Sequence, residues 1–131
     1  MPLSPFVTYR KFVRKTKSLR DKLAGMLRDL KKQGKRIVGD TAPTKGNTLL
    51  NYCEIGADLL DYIVEMNPLK QGMYTPGTHI PIYPVEKIYD DKPDYLLILA
   101  WNIKEDIMRQ QKRYHDLGGK FIIPIPTPRI L

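Results

Sequence analysis

Six consecutive residues, Tyr95-Leu96-Leu97-Ile98-Leu99-Ala100, offer no polar face to water. The run is far too short for a membrane helix, and an exposed sheet would alternate, so it predicts a strand covered on both faces. Such a strand needs helices on both sides of its sheet, and the chain supplies them. Further strands are expected at Arg36–Asp40, Leu60–Val64 and Lys120–Pro124. Helices are expected at about Lys45–Ile55 and Ile103–Leu117, with a short turn at Pro84–Ile88. The last long helix has Asn102 as a cap, Glu105 and Asp106 in its first turn and Gly118-Gly119 at its end. Strands separated by helices imply a parallel sheet with right-handed crossovers. The fold class is therefore α/β, a small Rossmann-like parallel sheet flanked by helices, with a ligand cleft at the carboxyl ends of its strands.

At 131 residues the chain forms one domain, with an N-terminal helix over 1–34 and an α/β body over 35–131. The helix is expected at about 5–33, capped by Ser4, started by Pro5 and ended by Gly34. Phe12, Leu19, Leu23, Met26, Leu27 and Leu30 fall on one of its faces. That stripe requires a partner, either the domain's own sheet or another domain or chain. The net charge of +8 resides in this segment: residues 1–36 hold 12 Lys/Arg against 2 Asp/Glu, and the remainder holds 10 against 12. Clustered cations suit nucleic acid or acidic lipid, but the commoner meaning is a solvated helix face. Aromatic residues are not interleaved with the densest charge, which argues against base stacking and makes nucleic acid an unlikely partner.

The run Ala42-Pro43-Thr44-Lys45-Gly46-Asn47-Thr48-Leu49-Leu50-Asn51-Tyr52 carries the clearest functional signal. It follows a strand and opens a helix, so its first-turn N–H groups and the helix dipole favour an anion, with Lys45 as a nearby cation. Two glycines before Lys-Ser/Thr are missing, and so is G-x-G-x-x-G; the run is neither a Walker A loop nor a dinucleotide fingerprint. An ordinary strand-to-helix connection with a solvent-exposed Lys45 fits the same spacing. Asn67-Pro68-Leu69-Lys70-Gln71-Gly72 comes just after the second strand, where Asn67 and Gln71 could bond sugar hydroxyls or a base and Lys70 a phosphate. A plain turn is the competing reading.

Residues Asn67 to Pro84 contain four prolines and two glycines, which predicts a long loop with one short strand at His79–Ile82. Of the two histidines, His115 belongs on a helix surface and His79 near the cleft as a hydrogen-bond donor. Neither has the company of a metal ligand or a catalytic partner nearby in sequence. Trp101 and Asn102 follow the buried strand and suit a cleft rim, although Trp101 suits a core plug equally well. A lone Cys53, no membrane-length apolar run and no signal-peptide layout predict a cytoplasmic protein without a membrane partner.

Several stretches together resemble the C-terminal domain of SAM-dependent sugar C-methyltransferases, which methylate a carbon of nucleotide-linked keto-sugars. They are Gly34–Gly39, Ala42–Cys53, Asn67–Gly72, Pro76–Ile82, Pro93-Asp94-Tyr95, Trp101-Asn102 and Gly118–Phe121, and they span nearly all of residues 6–131 in order. The resemblance implies a three-module enzyme: a small zinc-binding module, a central SAM-binding domain and this Rossmann-like domain, which helps hold the nucleotide-sugar. This chain has no glycine-rich SAM motif and no cysteine set, so SAM and zinc are expected only in the other modules. The family usually carries a glycine or alanine turn after the first strand, often preceded by Tyr. Gly39-Asp40-Thr41 stands there instead, and Asp40 puts a negative charge near the expected diphosphate.

On this resemblance the chain is the nucleotide-sugar binding domain, inactive alone, encoded separately or part of a longer protein. Its partners are a dTDP-sugar-like substrate and a methyltransferase domain in cis or in trans. The substrate-binding residues are Thr44, Lys45, Gly46, Asn47, Thr48 and Asn51 around the diphosphate, with Asn67, Lys70, Gln71, His79 and Asn102 around the nucleoside or sugar; none is catalytic. A standalone nucleotide-binding or docking module without catalysis is the alternative.

Overall fold

The computed structural model describes residues 5–41, 43–125 and 127–131, with side chains from Lys17 onward except those of Thr44 and Lys45. Six strands form one sheet in the order β3-β2-β1-β4-β5-β6. They are β1 (Ile37–Asp40), β2 (Ile63–Glu65), β3 (Ile82–Pro84), β4 (Tyr95–Ile98), β5 (Lys120–Ile123) and β6 (Arg129–Ile130). The first five are parallel, and β6 pairs antiparallel with β5. The helices are α1 (Pro5–Lys32), α2 (Thr44–Tyr52), α3 (Lys87–Asp91), α4 (Lys104–Gln110) and α5 (Lys112–Asp116).

Alternation along the strands divides the core in two. Ile37, Ile63, Leu97 and Ile122 join Leu23, Leu27 and Leu30 of α1 and Leu49 and Leu50 of α2 on one face. Val38, Val64, Leu96, Ile98, Phe121 and Ile123 join Ile88 of α3, Ile107 of α4 and Tyr114 of α5 on the other. This is why Leu96 to Leu99 carry no polar residue: every side chain of the run meets a helix layer and all four are fully buried. The apolar stripe of α1 is thereby settled from Leu19 onward, because it covers the domain's own sheet; Phe12 lies outside the described side chains. Trp101 packs against the same core from the end of β4.

Local departures from the expected elements have physical causes. Leu60 spends its N–H on Gly56 in a turn, so β2 starts three residues later than the apolar pattern suggests. The expected strand at His79–Ile82 is displaced to Ile82–Pro84, at the sheet edge where proline is tolerated. The short helix is likewise displaced, from Pro84–Ile88 to α3. The expected helix over Ile103–Leu117 is broken at Gln111, a buried residue whose Oε1 accepts the Tyr89 hydroxyl at 2.9 Å. Strand β6 has only two exposed residues and no pattern to announce it.

The Asn67–Pro84 segment is an ordered hairpin. Gly72 N–H donates to Ile82 C=O, Ile82 N–H to Met73 C=O, and Tyr74 bridges Pro81. At its tip the Thr75 hydroxyl lies 2.5 Å from that of Thr78 and accepts the Ile80 N–H at 2.8 Å. Asn51 of α2 ties the hairpin to the body by donating to Pro76 C=O at 3.2 Å. Gly77 has φ +79°, and a Cβ there would run into the Asn51 amide, so the position requires glycine.

Candidate functional site

Helix α2 leaves the carboxyl end of β1 over one face of the sheet, and α4 leaves the end of β4 over the other. The crossovers from the parallel strands β1 and β4 therefore run in opposite senses along the sheet, and it is at such a switch point that open parallel sheets bind ligands. Pro43 precedes α2 without a side-chain cap. The first helical bond runs from Asn47 N–H to Pro43 C=O, so the N–H groups of Thr44, Lys45 and Gly46 come before it. Gly46 lets this turn lie on the end of β4, since a Cβ would sit 2.9 Å from Leu99 Cβ.

Beside that turn lies a cleft of about 320 Å³, between α2 and the hairpin. Its floor is Leu50, Ile63, Ile82 and Leu99, and its walls include Asn47 from α2 and Lys70, Tyr74 and Thr75 from the hairpin. The connection from β2 to β3 contains no helix, and the hairpin in its place leaves the cleft over the sheet. Such a space admits a flat, partly apolar group and fixes it through a few polar atoms. Asn47 lines this space, and its Oδ1 is buried without a hydrogen-bond partner.

Two acidic residues end the neighbouring strands β1 and β2. Asp40 ends β1 with an unpartnered Oδ2, and burial, with Glu65 adding to it, raises its carboxyl to about 7. Glu65 ends β2, accepts the Asn67 N–H and has Lys70 Nζ 3.7 Å from Oε1. Cys53 is buried with its thiol pushed up to about 11 by desolvation, which leaves it a poor nucleophile.

The residues singled out from sequence fall into several groups. Asn47 and Lys70, 23 positions apart, meet at the cleft. Gly46 is a packing contact, and Thr48 is exposed on α2. Asn51 anchors the hairpin, as described. Asn67 turns its Oδ1 to the Leu69 N–H, and Gln71 donates to Glu65 C=O at 2.8 Å, so both brace the loop. His79, at φ 56°, stacks on Tyr74 with ring centres 4.4 Å apart and so supports a cleft wall from behind. Asn102 is exposed in a single 3-10 turn after β4. The side chains of Thr44 and Lys45 lie outside the described residues, although their backbone opens α2. Sequence reasoning missed Pro43, Tyr74 and Thr75 as lining residues; the one available signal was the turn-forming run Thr75-Pro76-Gly77-Thr78.

Among the described residues no group of three His, Cys, Asp or Glu side chains is placed to hold a metal, and no helix is long and apolar enough to cross a membrane. Comparison with known proteins decides the family. A family model described as the C-methyltransferase C-terminal domain matches residues 1–126. The chain belongs to this family. The C-methyltransferase NovU of Streptomyces niveus is 39% identical to it over 123 residues, covering 94% of this chain and 29% of that protein. This C-methyltransferase C-terminal domain thus spans less than a third of its relative's length, and the matched region includes both α2 and the hairpin that build the cleft.

Proposed function

We propose that this domain holds the nucleotide-sugar substrate of a SAM-dependent sugar C-methyltransferase. The observation that carries the proposal is the cleft at the carboxyl edge, where Asn47 and Lys70 are brought together beside the uncapped amino end of α2. The helix terminus suits a diphosphate, and the apolar floor with Tyr74 suits a planar base. The domain contributes orientation, which lowers the entropic part of the barrier; methyl transfer belongs to a SAM-binding domain supplied in cis or in trans. SAM and zinc are assigned to those other modules, and the setting is cytoplasmic. The share of its relative that the chain covers supports this division of labour.

Titration of the domain with a dTDP-sugar, followed by NMR, tests the proposal. Shifts clustered at residues 43–50 and 70–76 are expected. An intact spectrum that does not move at millimolar ligand would overturn substrate binding and leave a docking role.

A further inference from the structure

Tyr74 is the aromatic side chain that lines the cleft, and it is 54% exposed there. Its ring is nevertheless held in place. His79 lies parallel to it, with ring centres 4.4 Å apart and planes within 8°. His79 itself does not line the cleft, so it covers one face of the tyrosine and leaves the other toward the ligand space. The hairpin builds this backing. His79 takes the left-handed conformation at φ 56°, and its N–H donates to Thr75 C=O at 2.9 Å. Gly77 turns the chain between them at φ +79°, and the Thr75 hydroxyl closes the turn on that of Thr78 at 2.5 Å. On the other side of the ring's backbone, Tyr74 bridges Pro81 and Met73 C=O accepts the Ile82 N–H. An aromatic face ordered before its ligand arrives loses little freedom on binding.

The hairpin end of the cleft offers a surface and few hydrogen bonds. Met73, Pro76 and Ile82 flank Tyr74 in the lining. The polar groups of the turn are committed within it: the Thr75 hydroxyl accepts the Ile80 N–H, Thr75 C=O accepts the His79 N–H, and Pro76 C=O accepts the Asn51 amide at 3.2 Å. Resting on the nucleotide-sugar reading above, we infer that the cleft-facing side of Tyr74, backed by His79, is the stacking face for the substrate's nucleobase, and that the hairpin holds the base by its plane and not by its edge. Stacking is indifferent to the hydrogen-bonding edge, because every base has a π-face. Thymine and uracil differ by one methyl group on that edge, so the hairpin accepts both. His79 acts through Tyr74 and is a positioning residue. With the base on Tyr74 and the diphosphate at the amino end of α2, the choice among substrates falls to the sugar.

Titration of the 131-residue chain with dTDP-glucose and UDP-glucose, followed by NMR of both protein and ligand, tests this. The thymine H6 and methyl protons are expected to move upfield on binding, as protons above an aromatic face do. Tyr74→Leu removes that shift and weakens binding by about tenfold, whereas Tyr74→Phe keeps both. Asn tolerates the left-handed backbone but carries no ring, so His79→Asn weakens binding by about threefold and reduces the upfield shift. UDP-glucose binds within about threefold of dTDP-glucose. Both side chains are exposed, and each variant is expected to keep the parent's amide spectrum. Unaltered affinity and ligand shifts in Tyr74→Leu overturn the stacking face and leave nucleotide-sugar binding standing. A preference between the two nucleotides of more than about tenfold overturns recognition by the plane. If neither binds the parent chain, the nucleotide-sugar reading itself falls.

Discussion

Strand β1 begins beside Arg36 and ends at Asp40, and the two ends are built by opposite rules. At the amino end the guanidinium of Arg36 pairs with Asp91 and with Asp61, and bonds the Asp91 carbonyl at 3.0 Å. Its backbone N–H donates to Asp94, Lys31 meets Asp61 at 3.1 Å, and the Tyr62 hydroxyl donates to Asp91 at 2.9 Å. The result is a closed network that links α1, β1, β2 and the α3–β4 connection. Arg36 holds the Asp91 carboxyl below the ordinary range, and burial followed by Asp91 pushes the Tyr62 hydroxyl up. At the carboxyl end Asp40 and Asn47 keep unpaired buried oxygens, and a cleft replaces the missing crossover helix. A satisfied edge stabilises the fold, whereas an unsatisfied edge costs stability.

The largest expected effect separates the two ends by sign. Asp40 is raised from an ordinary 3.8 to about 7 in the folded protein. A raised carboxyl contributes no destabilisation while it is protonated in both states, and costs progressively more as pH rises from about 4 through 7. Asp40→Asn is therefore expected to be more stable than the parent at pH 8, by up to about 4 kcal/mol, and to match it below about pH 4. Urea unfolding at the two pH values checks this; a variant less stable at pH 8 would mean that the carboxylate has a stabilising partner.

The amino end should behave in the opposite way. Gly119 faces the Tyr114 ring so closely that a Cβ has no room, so Gly119→Ala is expected to lose about 3 kcal/mol through overpacking. Tyr114→Phe removes a buried hydroxyl that donates to Pro93 C=O at 2.8 Å, and should lose about 1 kcal/mol by thermal or urea unfolding. Arg36→Met should lose a similar amount or less, because the side chain is 42% exposed and water screens its pairs. If this last change were neutral, the closed network would be an arrangement without energetic weight.

The smallest stability effect is expected where binding should suffer most. Asn47→Leu removes an unpaired buried oxygen and fills part of the cleft, so stability should change by less than about 1 kcal/mol in either direction. Loss of dTDP-sugar binding with stability retained would sharpen the division between the edges. Retained binding would place the ligand elsewhere.

Much of this architecture is legible in the sequence, and the exceptions are instructive. The apolar run at Tyr95–Ala100 forecasts a doubly covered strand, and the stripe from Leu19 to Leu30 forecasts a helix with a buried face. The interruption at Gln111 is not legible, because no glycine or proline marks it. Nor is the hairpin: its prolines and glycines read as an irregular loop, while its order comes from Thr75, Thr78 and the anchoring Asn51. Within the candidate site, Asn47 and Lys70 carry the types of group expected for a phosphate or sugar, but residue type alone does not distinguish them from Asn67 and Gln71. Tertiary contacts make that distinction by engaging Asn67 and Gln71 in the loop.

The sequence by itself determined the α/β class, the alternation of elements and the basic N-terminal helix, because these follow from local periodicity and composition. It also carried enough of the family's residues, in order, for membership to be visible. Only the tertiary structure decided that Asp40 is buried with its Oδ2 unpaired, and that two segments more than twenty residues apart enclose one cleft. Burial and the pairing of polar groups are properties of the assembled sheet and its loops. No stretch of chain read alone can specify them.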